Sequence, residues 1–175
     1  KITPTQILTI VNANNPANTP PYKTCKYIGI GINGHMYELN NDTGHFICKV
    51  IKYDKNIYPQ FRKELGLINS INANPYRNEY INPCIHSFMN SGNLFTIFPM
   101  FNGITLNTFL EIIRTPKFSH KRAIILTKYV IKAILEALDY FHKQNVCHLQ
   151  LDGNSGLIEL RAPTSEELAN NSIVV

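Results

Sequence analysis

Gly29-Ile30-Gly31-Ile32-Asn33-Gly34-His35-Met36-Tyr37-Glu38-Leu39, followed after a turn by His45-Phe46-Ile47-Cys48-Lys49-Val50-Ile51-Lys52, decides how this chain is read. The first six residues fit G-x-G-x-x-G, a pattern that serves two kinds of phosphate-binding loop. In a dinucleotide-binding fold the glycines sit between a strand and a helix, with an acid about 20 residues further on. Here Met36 to Leu39 alternates as a strand does, and position 54 is embedded in Lys52-Tyr53-Asp54-Lys55. Strand, glycines, strand is the layout of a hairpin flap whose backbone N–H groups lie over phosphates. That layout asks for a lysine in the next strand, and Lys49 supplies it. A lysine in an apolar strand is costly unless an anion meets it. Taken alone, the glycines also suit any tight hairpin.

Outward from this core the pattern stays regular. Asn40-Asn41-Asp42-Thr43-Gly44 is a turn cluster joining the two strands. Phe61, Leu65, Ile68 and Ile71 recur at helical spacing and predict a helix over 58–71, which carries Glu64. After an Asn/Pro-rich loop over 72–83, strands are expected at Cys84–Met89 and Leu94–Phe98, joined by Asn90-Ser91-Gly92-Asn93. Helices follow over Leu106–Ile113 and Lys121–His142. The second carries a wide stripe of Ile125, Val130, Ile131, Ile134, Leu135, Leu138 and Phe141, so it should be buried on more than one side. Gly156–Leu160 is a short apolar run and Ser172–Val175 is strand-like. Upstream, an apolar patch at Ile7–Val11 precedes Asn12–Pro21, where prolines 16, 20 and 21 exclude a helix or central strand. Residues 1–22 are therefore expected to be an N-terminal arm or linker. The order predicts an α+β fold with an antiparallel five-stranded sheet and one helix, followed by helices.

Composition sets the class. The chain has 175 residues, 44% of them hydrophobic, which excludes general disorder. Charged residues reach only 17%, and 21 asparagines supply much of the remaining polarity. The 17 basic and 12 acidic side chains leave +5 with no Lys/Arg block, which argues against nucleic acid as a partner. No apolar run is long enough to span a bilayer, so no membrane partner is expected. The N-terminus lacks the layout of a signal peptide and an initiating Met, suggesting a processed chain or a fragment. Cys25, Cys48, Cys84 and Cys147 lie far apart and read as reduced, buried thiols of an intracellular, cytoplasmic protein. His35, His45, His86 and His120 form no pairing that suggests a metal site.

With glycine loop, strand lysine and helix glutamate in series, the chain resembles the protein kinase family. Asn93-Leu94-Phe95-Thr96-Ile97-Phe98-Pro99-Met100-Phe101-Asn102-Gly103 is similar to that family's fifth strand and hinge. Ile131–His142, then Asn145-Val146-Cys147-His148-Leu149-Gln150-Leu151, is similar to its long helix and catalytic loop. The likeness covers roughly residues 26–160 and implies a small lobe over 23–101 and a truncated start of the mainly α large lobe over 102–175. It also implies roles. Gly29, Gly31 and Gly34 would cover phosphates, with Met36 where the family usually has valine. Lys49 would pair with the α/β-phosphates and with Glu64. Cys48 would stand above the adenine, Phe98 would be the gatekeeper, and the backbone of Pro99 and Phe101 would face the adenine edge.

The departures fall on the residues that do chemistry. In the family's H-R-D-L-x-x-x-N an Asp accepts or orients the substrate proton and an Asn holds magnesium. Here His148-Leu149-Gln150-Leu151-Asp152-Gly153-Asn154-Ser155 puts Gln150 and Ser155 at those positions, leaving no catalytic residue. An amide cannot take a proton near neutral pH. Asp152 reads as a solvated loop residue, His142 and His148 as packing residues, and no D-F-G follows. No metal site is expected, no cofactor is required, and ATP remains compatible with the loop. Three functions compete. One is a non-catalytic scaffold or regulatory subunit acting through protein–protein contacts, with a partner or larger assembly covering helix 121–142. Another is an ATP-binding pseudokinase switch, and the third a piece of an active Ser/Thr-type kinase. Lys49 and Glu64 also suit a structural ion pair with no nucleotide at all.

Overall fold

The computed structural model describes residues 2–31, 34–52, 58–73, 78–147, 151–153 and 157–158, leaving aside the side chains of 58, 60, 61, 64, 68, 72, 73, 157 and 158. The chain divides into two compact units, residues 1–77 with 82–100 and residues 78–81 with 101–175. The first unit holds α1 (Pro4–Ala13), β1 (Thr24–Gly31), β2 (Gly34–Asn41), β3 (Gly44–Lys52), α2 (Tyr58–Ala73), β4 (His86–Asn90) and β5 (Asn93–Pro99). Its strands form one antiparallel sheet in the order β1-β2-β3-β5-β4. This is the α+β architecture the sequence predicts, an antiparallel five-stranded sheet with helices, followed by further helices. The tight turns at 42–43 and 91–92 hold the hairpins in register, Ser91 and Gly92 with positive φ of 46° and 71°.

The N-terminal residues do more than form an arm. Residues 4–13 make a helix where the sequence suggests only an apolar patch ahead of a linker. Pro4 sits in its first turn and Thr3 caps it, its hydroxyl accepting from Gln6 N at 3.3 Å while Gln6 Oε1 accepts from Thr3 N at 2.9 Å. Ile7 and Val11, one turn apart, are completely buried against one face of the sheet, in a core with Tyr22, Tyr37, Leu39, Cys48, Val50, Phe95 and Ile97. Hydrogen bonds fasten the helix there. Tyr37 Oη donates to Ile2 O at 2.7 Å, His86 Nε2 meets Asn14 O at 2.7 Å, and the Asn12 carboxamide clasps both backbone groups of Tyr22 at 2.8 and 2.9 Å. On the other face, Leu65 of α2 packs on buried Ile51 and Leu94. A helix thus packs on each side of the sheet, α1 through a large core and α2, among the described side chains, through Leu65.

The second unit holds β6 (Ile104–Thr105), α3 (Leu106–Ile113), α4 (His120–Lys143) and β7 (Leu157–Ile158), with β6 and β7 paired antiparallel. Thr105 caps α3, its hydroxyl accepting from Thr108 N at 3.2 Å. Phe109 and Val130 form the centre of its core, with Leu106, Leu110, Ile113, Leu126 and Ile134 around them. The stripe on α4 is only partly covered. Val130 is buried, whereas Ile131 and Leu135 are 51% and 58% exposed. Ser172–Val175 and the catalytic-loop positions His148, Gln150 and Ser155 lie outside the described residues. No helix among the described residues is long and apolar enough to cross a membrane.

Candidate functional site

The site begins with the β1–β2 hairpin. Gly31 faces Gly34 across its end, and the register slips by one residue at Ile28, giving the hairpin a bulge just before Gly29. The glycines differ in what they are needed for. A Cβ on Gly34 would collide with the Val50 carbonyl of β3, so a close backbone approach requires this glycine. A Cβ on Gly31 would meet the Met36 thioether, with Sδ at 3.4 Å, and the Gly34 carbonyl at an ordinary 3.8 Å. Around Gly29 nothing lies within 4 Å of that position. Hairpin packing accounts for Gly34, while at Gly29 the backbone itself, with φ of 159° beside the bulge, favours glycine.

Register then fixes which side chains share a surface. Met36, Lys49 and Thr96 lie opposite one another across β2, β3 and β5, as do Glu38, Ile47 and Phe98 in the next row. Side chains alternate along a strand, so Lys49 shares its face with Ile47, Ile51, Met36 and Phe98. That face also carries α2 through Ile51 and Leu94. Three residues expected near a nucleotide from sequence, Met36, Lys49 and Phe98, therefore stand on one side of the sheet. Among the described residues Lys49 has no carboxylate within ion-pair distance. Glu38, on the same face, lies 3.4 Å from His45 Nδ1. Glu64 belongs to α2, but its side chain is outside the described set, as is any pairing with Lys49.

Cys48 corrects the sequence reading. It is completely buried in the core on the α1 side, opposite Tyr37 and Ile97. Residues adjacent in a strand point to opposite faces, so Cys48 and Lys49 cannot line the same site. The residue that could lie above a base is Ile47. Burial pushes the Cys48 thiol far above its usual range and raises Cys25, half-buried beside the same core, to about 11. Cys84 is also buried and raised by burial, but Cys147 is exposed, unlike the buried thiol expected there.

At the end of β5 the backbone carries a feature the sequence reading missed. Met100 N donates to His45 O of β3 at 2.9 Å, which turns the Pro99 carbonyl to the opposite edge. There it accepts from the Asn82 carboxamide, Nδ2 at 3.3 Å. Nothing marks Asn82 among the 21 asparagines of the sequence. Phe101 belongs to the second unit. In that unit Gly153 O accepts from Asn107 N at 2.8 Å, and a Cβ on Gly153 would collide with the Asn107 carboxamide, while Asp152 is exposed. Among the described residues no group of three or more His, Cys, Asp or Glu is arranged to hold a metal ion.

Comparison with known proteins identifies the family and the fold. The family model of the protein kinase domain matches residues 22–159. A search of curated proteins gave no match. Among solved structures 1119 chains match. One of them, a crystal structure of a kinase domain, superposes with a TM-score of 0.60 at 21% identity, over 76% of this chain and 38% of its own length. At that identity the likeness speaks for the fold. The chain thus spans little more than a third of the length of that solved kinase domain.

Proposed function

This chain belongs to the protein kinase domain family, and we propose that it is a non-catalytic member, a pseudokinase module that acts inside the cell as a scaffold or regulatory subunit through protein contacts. In this reading residues 23–101 are the small lobe and 102–175 the beginning of the large lobe. The observation that carries it is Gln150, which stands where the family's catalytic loop has its Asp. Phosphoryl transfer depends on positioning and charge neutralisation, with an acid to receive or orient the hydroxyl proton and ligands to hold magnesium. A carboxamide cannot receive that proton, and a serine at 155 is a weak substitute for the metal-binding Asn. The exposed Ile131 and Leu135 on α4 give such a module an apolar surface to offer a partner.

A second reading, nucleotide binding without catalysis, is favoured by one observation. Met36, on the glycine hairpin itself, shares one face of the sheet with Lys49 and Phe98. The test of the main reading is phosphate transfer from radiolabelled MgATP to generic Ser/Thr substrates. The expected result is background transfer. Transfer above background that Lys49→Ala abolishes would overturn it.

A further inference from the structure

We propose that Asn82 is a built-in plug on the backbone edge that a nucleobase would read, and that it weakens nucleotide binding by holding the Pro99 carbonyl. The inference rests on the nucleotide-site reading of β5 and its hinge, and adds to it a residue that sets affinity and base preference.

The ladder between β4 and β5 shows how the plug is built. Ile97 O accepts from Ile85 N at 2.8 Å, so this carbonyl points to the β4 edge. Two residues on, Pro99 O points to the same edge, because Met100 N is committed to His45 O on the other side. Strand β4 begins only at His86, so no β4 backbone donor continues the ladder. The Asn82 side chain does so instead. A carbonyl can only accept, so the carboxamide must face it with its nitrogen. Pro99 has no N–H, which leaves its carbonyl as the one hydrogen-bonding group that residue offers. Pro83 follows Asn82 and biases it toward extended backbone, which helps to hold the amide in place.

The chemistry points to a choice between bases. An adenine presents an amino donor, and a donor arriving at Pro99 O must displace or share with the Asn82 amide. A guanine carries an oxygen at the corresponding ring position and gains nothing there from a free carbonyl. Asn82 thus taxes adenine nucleotides selectively.

Titration calorimetry of the full chain with ATP and with GTP tests this, using the natural chain, Asn82→Ala and Asn82→Ser, each first shown to unfold cooperatively. Both variants are expected to bind ATP about fivefold more tightly, the effect of one hydrogen bond no longer contested, with GTP unchanged. Equal ATP affinity in all three proteins would overturn the plug and leave the nucleotide site standing. A parallel gain for GTP would also overturn it, since that signals general loosening of the hinge. No binding of either nucleotide to any of the three would remove the nucleotide site, and the plug with it.

Discussion

The hydroxyl of Tyr37, at the centre of β2, donates to the carbonyl of Ile2 at 2.7 Å and ties the chain's first residues to the middle of its sheet. The bond is part-buried, and beneath it Ile7 and Val11 complete a core that strands alone would leave open to water. Tyr37→Phe should therefore cost about 1 kcal/mol, the net value of a hydrogen bond whose carbonyl can partly rehydrate. Ile7→Ala should cost about 2–5 kcal/mol, because it opens a cavity between helix and sheet. Urea unfolding would check both, and an Ile7→Ala chain as stable as the natural one would mean that α1 is not part of the core.

The glycine hairpin gives a graded expectation. Gly34→Ala drives a methyl into the Val50 carbonyl, a backbone group held in the ladder, so β2 and β3 must part. Gly31→Ala comes nearest to the flexible Met36 thioether, at 3.4 Å, with the Gly34 carbonyl at 3.8 Å. The first substitution should lower stability by about 1–3 kcal/mol and the second by clearly less. Thermal midpoints in the absence of any ligand would show the order.

Neighbours in β3 should separate cleanly. Lys49 and Cys48 are adjacent in sequence and point to opposite faces. Lys49→Ala should remove any stabilisation that millimolar ATP gives, which amounts to about 2.7 kcal/mol at a hundredfold excess over Kd. Cys48→Ala should lower the baseline midpoint, since it leaves space in the core, yet keep the ATP-dependent shift. Midpoints with and without ATP, in Mg²⁺ and in EDTA, measure both effects, and loss of the shift in Cys48→Ala would contradict the assignment of faces.

Thiol chemistry should follow exposure. Alkylation of the folded chain at pH 8 is expected to modify Cys147 first, with Cys48 and Cys84 protected until the chain unfolds. Cys25 titrates near 11 in the folded chain against an ordinary 9.0. Its folded pKa is raised, so its contribution to stability is complete below pH 9 and is lost as pH climbs toward 11. Unfolding midpoints should fall over that alkaline range, and less steeply in Cys25→Ser. Peptide mass mapping and a pH series of melts report the two outcomes.

Sequence periodicity alone determined most of the fold of this protein. Apolar alternation places β2, short apolar runs place β3 and β5, helical spacing places α2 and α4, and turn residues at 40–44 and 90–93 join the strands, because each of these signals acts over a few neighbouring residues. The same local chemistry marks Gly34 and Lys49 as special and Gln150 as unable to act as a base. What only the tertiary structure decided depends on partners far apart in the chain. Whether Ile7 and Val11 are an arm or a core rests on the sheet face that β2, β3 and β5 assemble. Cys48 leaves the candidate site because strand pairing assigns its face to the α1 side. Asn82 reaches Pro99 across 17 residues, and nothing in its own surroundings announces it. Burial, face and long-range hydrogen bonding come from the meeting of distant segments, and a side chain acquires them only when the chain has folded.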